Sequence, residues 1–222
     1  MTGMKQNKTM IVGVTGGVGS GKSTVLDILQ QNFNALIVKA DDIGNEVKLK
    51  GNSCYNSLIS LFGKEILDIN GQIDKAKMAS LIFADKDLLT KVNEIIHPAV
   101  REEIEKIISL NSSQYDYIVI EAALLCEANY LPLLNALIEV RCDKEIRIKR
   151  LMADRGYSLE KCLGIINNQS NDSFYKEASD NYLYSCDRKD YYGYYAVENN
   201  SEKVSLLNQI VLIMEELDEQ RG

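Results

Sequence analysis

Short apolar runs alternating with longer stretches of helical periodicity give this chain its plan. Met10, Ile11, Val12 and Val14 form the first run, and glycine-rich text follows up to Gly21. Val25, Leu26, Ile28, Leu29 and Phe33 then recur at the spacing of a helix that buries one face. This predicts a strand, a turn and a helix. Ala35-Leu-Ile-Val38 is a second strand, Tyr117-Ile-Val-Ile120 a third, Ala136-Leu-Ile-Glu-Val140 a fourth and Tyr194-Tyr-Ala-Val197 the last. The third is apolar throughout, as a parallel strand covered on both faces is. Helices are predicted from Lys144, over Ser158 to Gln169 and from Glu202 to Leu217, with a polar loop over Asn167-Asn-Gln-Ser-Asn-Asp172. The tyrosine-rich stretch with Tyr182, Tyr184, Tyr191 and Tyr192 is read as amphipathic rings laid on a sheet edge.

From Val47 to His97 the periodicity is helical and polar-faced, carried by Leu58, Leu61 and Phe62, then Ile82 and Phe83, then Leu88, Leu89, Val92, Ile95 and Ile96. Gly63 and Asn70-Gly71 break it into pieces. About fifty residues between the second and third strands exceed one crossover helix, so a helical insertion is expected over about 45–110. No internal repeat or flexible linker is visible.

Chemistry enters at Gly16, Gly21, Lys22 and Ser23, which fit the spacing G-x-x-x-x-G-K-[ST] between the first strand and its helix. The glycines let successive N–H groups converge on one anion, and the helix adds its positive dipole end. Gly17, Val18, Gly19, Ser20, Gly21, Lys22, Ser23 and Thr24 are the candidate cradle for the phosphates of a nucleotide. Lys22 can reach the β- and γ-phosphates, and the Ser23 hydroxyl can complete the shell of a Mg²⁺ ion. The expected fold is α/β: a P-loop three-layer nucleotide-binding fold with a parallel central sheet, a helical acceptor-binding insertion and a helical lid over about 144–170.

Strand ends supply further candidates. Asp41 and Asp42 follow the second strand, where a carboxylate can take a proton from an attacking hydroxyl or hold a metal-bound water. An aspartate before Ile43 is equally a helix cap, the reading favoured for Asp42. Glu121 ends the third strand and could order Mg²⁺-bound water. Arg147, Lys149, Arg150 and Arg155 form a cationic run, either a solvated helix face or a lid that brings charge to a transferring phosphoryl group. The lone His97 is read as a core or capping residue, since its spacing offers no metal partner. Pro98 is expected to open the next helix with Arg101 on its first turn, where arginine does nothing for the dipole and so is a ligand candidate.

Composition narrows the partners. The chain has 222 residues, 45% apolar and 26% charged, with a formal net charge of −7 and no basic stripe, which argues against a nucleic-acid partner. Cys54, Cys126, Cys142, Cys162 and Cys186 lie far apart without a C-x-x-C pair, so reduced, mostly buried thiols are expected rather than a zinc site or a disulfide framework. Met1 to Thr9 is polar, and the run after it is too short for a signal peptide or a membrane span, so the chain is expected in the cytoplasm and off the membrane. No signal of an oligomeric state is present.

Taken together, the chain resembles the dephospho-CoA kinase family over most of its length. The resemblance rests on Gly13-Val-Thr-Gly-Gly-Val-Gly-Ser-Gly-Lys-Ser-Thr24, Val38-Lys-Ala-Asp41, Phe62-Gly63, Ile69-Asn-Gly71, Asn93-Glu-Ile-Ile-His-Pro98 with Arg101, Leu124-Leu-Cys-Glu127, Arg150-Leu151, Gln169 and Val197-Glu-Asn-Asn200. It implies phosphorylation of the ribose 3′-hydroxyl of dephospho-CoA by ATP, the step that completes coenzyme A. It implies Lys22 at the γ-phosphate, Ser23 on Mg²⁺ with Asp41 or Glu121 acting through water, and Asp41 as acceptor of the hydroxyl proton. His97, Arg101 and Glu127 join Asp41 at the acceptor, and Arg155 and Arg150 act with Lys22 in catalysis. Three departures stand out. Lys39-Ala-Asp41 replaces the usual Asp-Ala-Asp, Ala123-Leu-Leu-Cys-Glu127 replaces Pro-Leu-Leu-Phe-Glu, and Asp154-Arg155-Gly156 with Ile165 replaces a lid of Arg-Asp-Gly and a second arginine. A further stretch of roughly fifteen to twenty residues precedes the last strand. The competing readings are another nucleoside or nucleotide kinase and a catalytically weakened homologue. A GTP-dependent switch lacks its N-K-x-D motif here.

Overall fold

Each apolar run becomes a strand of one five-stranded sheet in the computed structural model, which describes residues 8–169, 173–186, 188–200 and 203–221 without the side chains of Lys86 and Lys203. β1 (Met10–Thr15) is central, with β3 (Tyr117–Glu121) on one side and β4 (Ala136–Arg141) on the other, while β2 (Ala35–Lys39) and β5 (Gly193–Glu198) form the edges. β1 runs parallel to β3 and to β4, and β4 parallel to β5. α1 (Lys22–Asn32) leads the chain from β1 toward β2, whereas the chain leaves β4 toward β5. Adjacent strands whose connections diverge leave a crevice at their carboxyl ends, so the turn after β1 and the turn after β4 meet there.

Burial explains the apolar runs. All six residues of β1 are buried. Val12, Val14, Val119, Ile138 and Val197 share one core with Leu26 and Leu29 of α1 and with Leu206, Ile210 and Met214 of α9 (Lys203–Arg221). Asn135 closes the other end of the central strands. Its amide oxygen accepts from the Ile11 N–H at 2.7 Å, its amide nitrogen donates to the Asp190 carbonyl at 2.7 Å, and its own N–H donates to the Ile11 carbonyl at 2.7 Å.

α6 (Lys144–Arg155) and α7 (Leu159–Asn167) follow β4, the latter capped by the Ser158 hydroxyl, which accepts from the Lys161 N–H at 3.2 Å. The tyrosine-rich stretch contains a helix that periodicity did not announce, α8 (Phe174–Ser185), which lies against edge strand β5. The Tyr182 ring meets Tyr191 edge-on at 5.0 Å, and the Ser179 and Tyr191 hydroxyls bond at 2.6 Å. Of the expected loop and closing helix, Ser170 to Asp172 and Glu202 lie outside the described residues, as do Met1 to Asn7 of the polar leader.

Lys39–Leu110 form one compact unit, and the described residues up to Val38 and from Asn111 onward form another. The first holds α2 (Ala40–Glu46), α3 (Tyr55–Phe62), α4 (Lys75–Ala84) and most of α5 (Lys86–Asn111). α3 ends at Gly63, and the Asp68 carboxylate closes the Asn70-Gly71 turn by accepting from the N–H groups of Asn70 at 2.8 Å and Gln72 at 2.9 Å. Asp74 caps α4, accepting from Ala76 and Lys77. Pro98 does not open a helix as expected: one 26-residue helix runs through it. The ring removes one amide, but buried Val92, Val100 and Ile104 lie along one face on both sides of it, and their packing outweighs the local defect. No helix among the described residues is long and apolar enough to cross a membrane.

Asn135→Ala should strip the buried Ile11 N–H of its acceptor and lower stability by about 2 kcal/mol, the cost of an unsatisfied buried donor plus a lost bond. A urea titration checks this through a reduced midpoint at unchanged slope.

Candidate phosphate-binding site

The turn after β1 is a loop of backbone amides closed from several directions. Gly21 caps α1 at φ 92°, ψ 31°, a left-handed conformation, and a Cβ there would collide with the Asn199 side-chain amide. α1 carries no acidic residue on its first turn, so nothing on the helix offsets its positive end. Lys22 donates to the Gly16 carbonyl at 2.9 Å and lies 3.8 Å from the Glu121 carboxylate at the end of β3, both side chains being about 15% exposed. Ser23 is exposed on the first turn of α1.

Four further side chains bind the loop. On α6, Arg147 and Arg150 stand three residues apart and therefore on one face. Arg147 Nε donates to the Val18 carbonyl at 2.9 Å, and its Nη2 donates to Gln169 Oε1. The same Gln169 oxygen accepts from the Val18 N–H at 3.1 Å. Arg150 donates to the Ser20 carbonyl at 3.3 Å and the Asn199 carbonyl at 3.0 Å, and reaches the Gly19 carbonyl at 3.5 Å. Asn199, buried after β5, donates its side-chain amide to the Ser20 carbonyl at 2.7 Å. Asn200 and Asp143 bond reciprocally at 2.7 and 2.9 Å, tying the end of β5 to the start of α6.

Not every expected residue joins this group. Arg155 is exposed as the last residue of α6, which Gly156 terminates at φ 63°. Glu127 is exposed in the turns after β3. Asp41, His97 and Arg101 belong to the Lys39–Leu110 unit. Within it, Asp41 is exposed on the first turn of α2, and Asp42 does not cap that helix as expected. Lys39 holds the cap position, and an ammonium cannot accept the bond from an amide that a carboxylate there would. Both aspartates still favour the helix dipole. Burial pushes the Lys48 ammonium down, Lys75 adds to this, and the Asp41 carboxylate opposes both. Burial also holds His97 below the usual imidazole range, and Arg101 pairs with Glu105 one turn on at 2.9 Å.

The contacts that some of these residues make with the loop carried no local signal. Arg147, Gln169 and Asn199 act across 129 to 179 positions of sequence. Glu139 sits inside an apolar run yet is buried, accepting from Arg141 Nε at 3.1 Å and from the Tyr194 hydroxyl, which burial and this bond push up. All five cysteines are free, and burial pushes the Cys126 thiol up to about 12, with Glu127 and Glu139 adding to it.

Among the described residues no cluster of three histidine, cysteine or acidic side chains could hold a metal. The donors present, a Ser23 hydroxyl with Glu121 nearby on Lys22, suit a hard cation that keeps its waters and takes its other ligands from phosphates. Chemically the arrangement can bind an oligophosphate: converging amides, a helix end, a lysine and two arginines.

Comparison with known proteins agrees on one family. The family model for dephospho-CoA kinase matches residues 10–186. Dephospho-CoA kinase of Carboxydothermus hydrogenoformans is 41% identical over 160 residues, covering 72% of this chain and 77% of that protein. The enzyme of the same name from Oceanobacillus iheyensis is 36% identical, covering 72% and 81%. Among solved structures, dephospho-CoA kinase from Campylobacter jejuni superposes with a TM-score of 0.60 at 21% identity, over 96% of this chain and 98% of that one, and so shares the fold. A Thermus thermophilus protein reaches 0.70 at 23% identity over 94% and 98%.

Gly21→Ala should both strain the backbone and push Asn199 off the Ser20 carbonyl. The expected result is a stability loss of about 1–3 kcal/mol and tripolyphosphate binding weakened by about tenfold or more, a barrier-sized change of about 1.4 kcal/mol. Gly51→Ala is the control, since Gly51 shares the positive φ, at 94°, with nothing within 4 Å of a Cβ. Thermal melts should detect both variants, and a polyphosphate titration only the first.

Proposed function

This chain belongs to the dephospho-CoA kinase family, and from that premise we propose how its own residues transfer the γ-phosphoryl group of ATP to the ribose 3′-hydroxyl of dephospho-CoA, giving coenzyme A and ADP. The observation that carries the reading is the phosphate loop with Lys22 on its Gly16 carbonyl and Glu121 beside it, because it joins a polyphosphate cradle to the ordered motifs of this family.

In the reaction the ribose oxygen forms a bond to Pγ, the bond from Pγ to the β,γ-bridging oxygen breaks, and the electron pair leaves with ADP. Gly17 through Thr24 hold the phosphates through backbone N–H groups and the end of α1. Lys22 exchanges the Gly16 carbonyl for β- and γ-oxygens and neutralises the charge that spreads over them. Asp41 takes the proton of the attacking hydroxyl, a role its exposure on the first turn of α2 suits. Ser23, with Glu121 or Asp41 acting through water, would hold Mg²⁺, which supplies charge neutralisation across the β- and γ-phosphates when bound. His97, Arg101 and Glu127 are assigned to the acceptor, and the unit Lys39–Leu110 to its binding. α6 and α7 form the lid, from whose end Arg155 reaches the phosphates, while Arg150 keeps the loop in shape through the Ser20 carbonyl. Five cysteines that lie far apart without a C-x-x-C pair suit a reducing, cytoplasmic setting, and the net charge of −7 argues against nucleic acid.

A coupled assay with ATP, Mg²⁺ and dephospho-CoA tests the assignment, with nucleosides and nucleoside monophosphates as rival acceptors; faster transfer to any rival would overturn it. Lys22→Ala should lose on the order of 10²-fold or more in turnover, and retention of half the activity would sink its role. Asp41→Asn should lower kcat by roughly 10²- to 10⁴-fold while ATP still binds. Arg155→Ala should lose about tenfold in kcat, equivalent to about 1.4 kcal/mol; unchanged kinetics would return Arg155 to the solvated surface.

A further inference from the structure

One oxygen in the phosphate loop has the environment of a phosphate oxygen without being one. Gln169 Oε1 accepts from the Val18 N–H of the loop at 3.1 Å and from Nη2 of Arg147. A backbone amide and a guanidinium converging on one acceptor are the donor pair that binds phosphate elsewhere. Arg147 Nε is meanwhile fixed on the Val18 carbonyl at 2.9 Å, which keeps the guanidinium over the loop at Gly17, where a Cβ would overlap its terminal nitrogens. The guanidinium therefore needs no swing to face a ligand in the loop.

We propose that Gln169 is a stand-in for a phosphate oxygen, and that Arg147 is a phosphate-binding residue that passes from Gln169 to the nucleotide when ATP enters. The inference rests on the ATP-binding reading of the loop. Two things follow from the exchange. ATP must displace a neutral acceptor that already satisfies the Val18 amide, so Gln169 competes with the substrate. The displaced donors gain on a phosphate: the Val18 amide exchanges a neutral acceptor for an ionised one, which about doubles the strength of such a bond, and the guanidinium gains a charged partner of opposite sign. Gln169 is in this sense a positioning residue: it keeps the amide and the arginine aimed into the empty loop and yields both.

The role separates from a structural clasp by the sign of its mutants. Binding of a non-hydrolysable ATP analogue and of tripolyphosphate is measured by calorimetry, without any acceptor, alongside thermal melts. Gln169→Leu removes the competitor and should tighten the analogue about three- to tenfold, the range of one net hydrogen bond. Arg147→Met should weaken both ligands by tenfold or more. Gln169→Glu keeps size and shape but puts a charged acceptor on the same two donors, so it should weaken the analogue tenfold or more at pH 7.5. That loss should shrink as pH falls toward the carboxylate range near about 4.3. If Gln169→Leu and Arg147→Met shift affinity in the same direction, or neither shifts it, the pair is a clasp and the proposal fails while the kinase reading stands. A wild-type protein that binds neither ligand overturns both.

Discussion

A loop that points its N–H groups inward to meet an anion must turn carbonyls outward, and each of those oxygens needs a donor of its own. The rest of this structure follows from that demand. Lys22 serves the Gly16 carbonyl, Arg147 the Val18 carbonyl, Arg150 and Asn199 the Ser20 carbonyl, and Arg150 also approaches that of Gly19. Three of the four donors are cations, so the oxygens are satisfied by groups that also make the local potential positive. In a chain of net charge −7 this local arrangement has to supply what the composition does not.

The sheet order makes the arrangement reachable. Because β4 lies beside β1 and β5 beside β4, the helix that follows β4 and the asparagines that follow β5 arrive at the same edge as the loop. Asn135 at the opposite end holds β1 to the start of β4 through two bonds to Ile11, so the register Val12 to Ala136 is pinned at its origin. Reciprocal bonding between Asn200 and Asp143 then sets where α6 begins, and with it where Arg147 and Arg150 fall.

What could be read from the sequence was what is local. The first strand, loop and helix are contiguous, and their apolar spacing and glycines state the motif outright. The breaks at Gly63 and Asn70-Gly71 were legible for the same reason, as turn chemistry acting over a few residues. Pro98 misled because its effect on a helix is also local, whereas the packing of Val92, Val100 and Ile104 that carries the helix past it is not. α8 escaped notice because its tyrosines are set by partners such as Tyr191 rather than by a regular apolar stripe. Asp42 precedes an apolar residue as a cap would, yet the helix and its cap lie three residues sooner. Lys22 apart, which stands six residues from the Gly16 carbonyl, the pairings of the loop's carbonyls with their donors were the least visible, since no window of sequence contains both Arg147, Arg150 or Asn199 and its acceptor.

That separation has a consequence for the chain as it is made. The Asn199 side chain that supports the loop's Ser20 carbonyl lies 179 positions after it. At a synthesis rate of about 5–20 residues per second, roughly 10 to 40 s pass between the two. Throughout that interval a glycine-rich segment with an unsupported backbone has to wait beside strands that have not yet found their neighbours. The loop's set of carbonyl donors is thus complete only once β5 takes its place at the edge of the sheet and brings Asn199 to Ser20.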